Sequence, residues 1–203
     1  MNSSITPIPD GLKASAAPDF HQTDSQEASL QISVIAPVVM MLNELLQRRF
    51  LTAYAIGGGI AVLYYTEPVL TYDFDVICAF PDTGPLIDPA PMFVYLREQG
   101  CLFGKEDRIV IAGVPVQFIP ASAGLVTEAL QHAAPVIISN VPTRILAIEY
   151  LIAIMLQLYR PKDRAKLALL INNPAVSVNR VTLADLLTRY ELLKKWERYG
   201  DVG

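Results

Sequence analysis

Two neighbouring stretches decide how this chain reads: Tyr54-Ala-Ile-Gly-Gly-Gly-Ile-Ala-Val-Leu-Tyr-Tyr65, and then Tyr72-Asp-Phe-Asp-Val-Ile-Cys78. Leu51 to Ile56 is short, apolar and rich in strand formers, and Gly57-Gly58-Gly59 breaks it. Ile60 to Tyr65 resumes at helical spacing, and Thr71 to Phe80 reads as a second strand. Glycines between a strand and a helix let the backbone approach a ligand closely. The N–H groups opening such a helix can hold a phosphate. Asp73 and Asp75 are two apart on the predicted strand, so their carboxylates project from one face. Their Cα atoms should lie roughly 7 Å apart, near enough to share Mg²⁺. An acidic pair beside Val76, Ile77, Cys78, Ala79 and Phe80 needs a reason, because unpaired buried carboxylates are costly.

Outward from this centre, residues 1–31 are rich in Ser, Pro, Ala, Asp and Gln and read as a flexible tail. Ordered structure is expected from Ile32, where Val34, Val38, Met41, Leu42, Leu45 and Leu46 recur at helical spacing. Pro81 to Pro91 is a loop, Met92 to Gln99 a helix stopped at Gly100. Arg108 to Ile119 reads as two strands joined by a tight turn at Ala112-Gly113. Pro115 places the second of these near an edge, or late in entering the sheet. Leu125 to His132 is helical, and Val136 to Val141 a further strand. From Thr143 the pattern is helical, punctuated by Pro161 and Pro174, with Thr182 capping a helix from Leu183. The expected organisation is a tail over 1–31, a mixed α/β core over 32–141, its sheet flanked by helices, and a helical region over 142–203.

Composition narrows the function classes. The chain has 203 residues, 52% hydrophobic and 18% charged, with a formal net charge of −4. That is ample apolar surface for a core without disulfide or zinc staples. Charge is unevenly placed: residues 32–155 carry a net −5 and residues 156–203 a net +4. The split suits a two-lobed cleft, with carboxylates holding metal on one side and cations meeting phosphate on the other. No block of like charge marks a nucleic-acid tail. Cys78 and Cys101 lack CxxC spacing, and the only histidines are His21 and His132, which argues against a zinc site. The most apolar stretch, Ile145 to Tyr159, has 15 residues and contains Glu149, too short for a membrane span. Two free thiols and no signal-peptide pattern lead to the expectation of a soluble, cytoplasmic protein.

A glycine pair opening a helix, followed by an Asp-x-Asp strand, resembles the signature of the nucleotidyltransferase (DNA-polymerase-beta-like) superfamily. The nearest branch is that of AbiEii-type toxins and related nucleotidyltransferases. The resemblance spans about Ile35 to Arg198, but only these two motifs are specific. It implies that Gly58 and Gly59 form the phosphate turn and that Asp73 and Asp75 bind magnesium.

Members of the superfamily usually carry a third carboxylate on a later strand. The equivalent strand here is Val114 to Ile119, which puts Gln117 where an acid is expected. An amide oxygen is a weaker magnesium ligand and no general base. A second resemblance lies at Glu149-Tyr-Leu-Ile-Ala-Ile-Met-Leu-Gln-Leu-Tyr-Arg-Pro-Lys-Asp163. Met155 stands where a lysine is expected, and Arg160, Lys162 and Asp163 are retained. Arg160 and Lys162 either reach nucleotide phosphates or cover a helix end, with Asp163 starting the next helix. Glu149 either pairs with a cation, orients the metal site, or is a satisfied polar group in an apolar helix.

Two readings follow. In the first, an Mg²⁺-dependent nucleotidyltransferase moves NMP from an NTP to a hydroxyl of RNA, protein or a small molecule. Its catalytic residues are Asp73, Asp75 and Lys162, its phosphate-binding residues Gly58, Gly59 and Arg160. A toxin role with a cognate antitoxin partner belongs to this reading. In the second, the substitutions at Gln117 and Met155 leave a catalytically degenerate nucleotide-binding or interaction protein. A purely structural α/β protein, with Asp73 and Asp75 facing solvent, is a third. Lys105 and Arg108 read as solvated turn residues, Tyr64 and Tyr65 as core, Trp196 as the anchor of the last helix and His132 as a surface helix end.

Overall fold

The computed structural model describes residues 25–66, 74–82, 87–104 and 108–200. The expected tail up to residue 24 and Asp73 lie outside the described residues. In chain order the elements are α1 (Ser25–Gln47), β1 (Ala53–Ile56), α2 (Gly58–Tyr65), β2 (Phe74–Ala79), α3 (Ala90–Glu98), β3 (Leu102–Phe103), β4 (Arg108–Ile111) and β5 (Val114–Pro120). There follow α4 (Gly124–Gln131), β6 (Ala134–Ile138), β7 (Val141–Ile145), α5 (Ile148–Leu158), α6 (Pro161–Ile171), α7 (Arg180–Arg189) and α8 (Leu193–Gly200).

The strands form one mixed sheet in the order β3-β4-β5-β2-β1-β7-β6. β2 runs antiparallel to β1 and parallel to β5, and β1 runs parallel to β7. The outer pairs are antiparallel hairpins. The α/β class with a mixed sheet flanked by helices is the architecture observed. The chain divides into two compact units, one ending at Ala147 and the other taking up the helices from Ile148.

α1 covers one face of the sheet. Val38, Val39, Leu42 and Leu45 are fully buried, a stripe at helical spacing, each worth roughly 1.5–3 kcal/mol of burial. The helix begins at Ser25 rather than Ile32, because polar Ser25-Gln26-Glu27 starts it without an apolar period to announce it. A hydrogen-bonded cluster fixes α1 to the sheet. Tyr54 Oη donates to Asn43 Oδ1 at 2.6 Å and lies 2.9 Å from Thr143 Oγ1, and Asn43 Nδ2 donates to the Pro142 carbonyl at 2.9 Å. Side chains alternate along a strand and register partners share a face. Tyr54 pairs with Cys78, so Phe74, Val76 and Cys78 face α1, while Asp75 and Ile77 face the other way.

The structure corrects or narrows further sequence expectations. β7 occupies Val141–Ile145, where helix was expected from Thr143. Ser139 and Asn140, with φ of 50° and 62°, make a two-residue turn that splits the expected Val136–Val141 strand into a hairpin. Of the two placements expected from Pro115, the late entry holds: β5 is an interior strand whose ladder with β2 starts at Val116, after Pro115, so no missing N–H interrupts it. Asn179, not Thr182, caps α7: its Oδ1 accepts from the Val181 and Thr182 N–H groups at 3.1 Å each. The turn expected at Ala112-Gly113 is present, with φ of 49° and 84°. Among the described residues no helix is long and apolar enough to cross a membrane.

In the helical unit, α5 packs against α6, α7 and α8. Met155 is buried in it, as befits an apolar side chain on the packed face of α5. Lys195 Nζ donates to the Gln157 carbonyl at 2.5 Å, tying α8 to the end of α5.

Candidate functional site

Gly57 is the hinge between β1 and α2. Its N–H donates to the Asp75 carbonyl at 2.8 Å, extending the β1–β2 ladder by one step, and its carbonyl accepts from Ala61 N–H at 3.1 Å, opening the helix. Gly58 follows in the left-handed region at φ 55°, where a glycine costs least. A Cβ on Gly58 would fall 2.7 Å from Asp75 Cγ and 2.9 Å from Asp75 Cβ, and closer still to Oδ2. The carboxylate therefore lies directly over the first residue of α2. Gly57 offers no side chain to cap this helix, and no acidic residue stands in its first turn. The negative charge that complements the positive end of α2 comes from Asp75, across the sheet.

Asp75 also has a lateral neighbour. It pairs with Gln117 on β5, and Gln117 pairs with Arg108 on β4. Asp75, Gln117 and Arg108 thus form one cross-strand row, each half-buried. The adjacent row, Phe74, Val116 and Ile109, is in register and at most 2% exposed. One end of the sheet consequently presents an apolar row toward α1 and a polar row on the opposite face.

The structure brings together Gly58, Asp75 and Gln117, with Gly59 buried in the first turn of α2. Arg108, expected as a solvated turn residue, is instead half-buried on β4 in this row. The signal was available: a two-residue turn at Ala112-Gly113 pairs Ile111 with Val114, and counting back pairs Arg108 with Gln117.

Arg160 and Lys162 belong to the helical unit. Arg160 is the N-cap of α6, ahead of Pro161 at the first helical position. Asp163, 3% exposed, accepts from Arg160 Nε at 2.7 Å, from Nη2 at 3.1 Å and from its backbone N–H at 3.1 Å. This is the helix-start arrangement for Asp163. Glu149 is a satisfied polar group: Oε1 accepts the Asn179 N–H at 2.7 Å, so α5 holds the residue that caps α7. His132 ends α4 on the surface, its Nδ1 2.9 Å from the Glu128 carbonyl. Tyr65 Oη donates to the Leu146 carbonyl at 2.9 Å, anchoring the far end of α2. Trp196 is half-buried, its ring 6.5 Å from that of Tyr199. Burial pushes the Cys78 thiol up to about 12, which leaves it protonated and unreactive at neutral pH.

The sequence matches no protein-family model, and no curated protein matches it. Solved structures to which the chain is similar include the following three. One is an antigenic nucleotidyltransferase-like protein from Paracoccidioides brasiliensis, 15% identical, with a TM-score of 0.49 over 81% of this chain and 93% of that one. Another is the antibiotic-resistance factor ANT(2'')-Ia in solution, 16% identical, with a TM-score of 0.46 over 84% and 98%. The same factor in complex with adenylyl-2''-tobramycin is 18% identical, with a TM-score of 0.45 over 79% and 99%. These are likenesses of fold.

Proposed function

We propose that this protein is a nucleotidyltransferase that binds an NTP at the start of α2 and transfers NMP to a hydroxyl acceptor. The observation that carries the reading is the seat of the Asp75 carboxylate on Gly58. A backbone opened by glycine at a helix N-terminus suits phosphate oxygens, and a carboxylate beside it suits the cation that accompanies them. In the transfer the acceptor oxygen bonds to the α-phosphorus, the bond to the β-phosphate oxygen breaks, and pyrophosphate leaves. The hydroxyl proton passes to solvent, since Gln117 offers no base at its position.

The donor set fits magnesium. Asp75 supplies a hard carboxylate oxygen seated against Gly58, Gln117 an amide oxygen one strand away, and Asp73 is expected to add a second carboxylate. Asp75 and Asp73 would hold the ion, which when bound neutralises triphosphate charge. The chain's own residues do the rest. Gly58 and Gly59 let the backbone meet the phosphates, and the α2 dipole favours their charge. The phosphate roles of Arg160 and Lys162 come with the sequence resemblance.

The acceptor class, the AbiEii-like branch and a toxin role belong to this proposal too. Growth arrest on expression, relieved by the neighbouring gene's product, supports the toxin role; harmless overexpression removes it. Transfer itself is tested by incubating the full chain with Mg²⁺, α-labelled NTPs and cell extract. The expected result is labelled product that disappears with Asp75→Ala and Lys162→Ala. No Asp75-dependent label from any NTP contradicts transfer.

The second reading, nucleotide binding without catalysis, is favoured by one observation: the neutral Gln117 stands in register with Asp75. Tight NTP binding with no turnover selects it.

A further inference from the structure

Resting on the nucleotidyltransferase reading, we propose that Asp75 excludes metal-free polyphosphate from the nucleotide seat, so that a nucleotide enters only together with a divalent cation. Three observations carry this. The Asp75 Cγ and Cβ lie 2.7 and 2.9 Å from the place a Gly58 Cβ would take, and Oδ2 lies nearer still. The carboxylate, rather than open space, therefore covers the first residue of α2. The backbone keeps it there: Gly57 N–H donates to the Asp75 carbonyl at 2.8 Å, and β2 is paired with β1 on one side and with β5 on the other. Lastly, α2 has no acidic residue in its first turn and no side-chain cap from Gly57, so the anion that meets its dipole is supplied by Asp75. Phosphate oxygens approaching the N–H groups of Gly58 and Gly59 seek the same helix end. Two unit charges about 4 Å apart repel strongly enough at a protein surface to weaken binding roughly tenfold or more. Asp75 also fills volume there, so the exclusion rests on occupancy as well as on charge. Sharing a divalent cation with the phosphate oxygens turns the contact from repulsive to attractive. One side chain thus weakens metal-free binding and strengthens metal-dependent binding.

The test reads binding in both metal states. The full chain, Asp75→Asn and Asp75→Ser are titrated by calorimetry with inorganic tripolyphosphate and with each of ATP, GTP, CTP and UTP, first in EDTA and then in Mg²⁺. In EDTA the variants are expected to bind tripolyphosphate about fivefold or more tighter than the parent. In Mg²⁺ the order reverses, and the variants bind roughly tenfold more weakly. Tightening in Asp75→Asn supports exclusion by charge, and tightening in Asp75→Ser alone supports exclusion by occupancy. Circular dichroism identifies a variant that does not fold, and the other then carries the test. Affinity in EDTA that is unchanged or weaker in the folded variants overturns the proposal, while Mg²⁺-dependent binding of an NTP by the parent leaves the nucleotidyltransferase reading standing. The converse result, tightening in EDTA with no Mg²⁺-dependent binding of any NTP, contradicts that reading and leaves Asp75 as the group that excludes polyphosphate from α2.

Discussion

The carboxylate of Asp75 fills the space that a side chain at Gly58 would need, so residues 58 and 75 are coupled sterically and electrostatically. Gly58→Ala must force a methyl into that carboxylate and hold a non-glycine residue at φ 55°. A cost of about 2–4 kcal/mol is expected in denaturant unfolding. In an Asp75→Ala background the same change should cost about 1 kcal/mol less, because only the Asp75 Cβ and the backbone strain remain. Equal costs in both backgrounds would show that the two residues do not meet.

Gln117 sets how strongly the row holds a cation. Gln117→Glu adds a carboxylate in register with Asp75 and should tighten Mn²⁺ or Mg²⁺ binding roughly tenfold, read by titration calorimetry. If the added charge pairs with Arg108 instead, metal affinity stays flat and the row does not face the ion.

Why so much of the site could be read from sequence, and part of it not, follows from the range of each interaction. The glycine turn and the β4–β5 hairpin are local: Gly57 to Gly59 must break β1, and Ala112-Gly113 fixes the pairing of Arg108 with Gln117. The pairing of Asp75 with Gln117 is not local. It depends on a parallel crossover through α3, β3 and β4, and no residue pattern specifies parallel register. β7 was hidden for another reason. Val141-Pro-Thr-Arg-Ile145 carries a proline and an arginine on its exposed positions, and the Ser139-Asn140 turn lacks the glycine that usually announces a hairpin. At the start of α7, Asn179 and Thr182 are both cap-forming residue types, and the helix begins at Arg180, three residues before Leu183, so the cap falls to Asn179.

The Asn179 side-chain cap gives a stability prediction. Asn179→Ala removes the acceptor for Val181 and Thr182 N–H and should cost about 1 kcal/mol, whereas Thr182→Ala should cost far less. The reverse order in thermal unfolding would return the cap to Thr182.

Cys78 offers a pH test. Its thiol is raised from 9.0 to about 12 by burial, so the folded chain keeps a proton that the unfolded chain releases. Stability is therefore unaffected below about pH 9 and falls as pH rises from there toward 12, by at most about 1.4 kcal/mol per pH unit from this group. At pH 8 a thiol reagent should leave native Cys78 unmodified and label it on unfolding. Rapid native labelling mapped to Cys78 contradicts its burial.

The most direct measurement of the central claim is nucleotide binding at Asp75. Titration calorimetry of the full chain with ATP, GTP, CTP and UTP in Mg²⁺ should give saturable binding for at least one of them. That binding should be weakened roughly tenfold or more by Asp75→Asn, which keeps the shape of the side chain but removes its charge. Binding of no NTP, or binding indifferent to Asp75→Asn, would contradict the account.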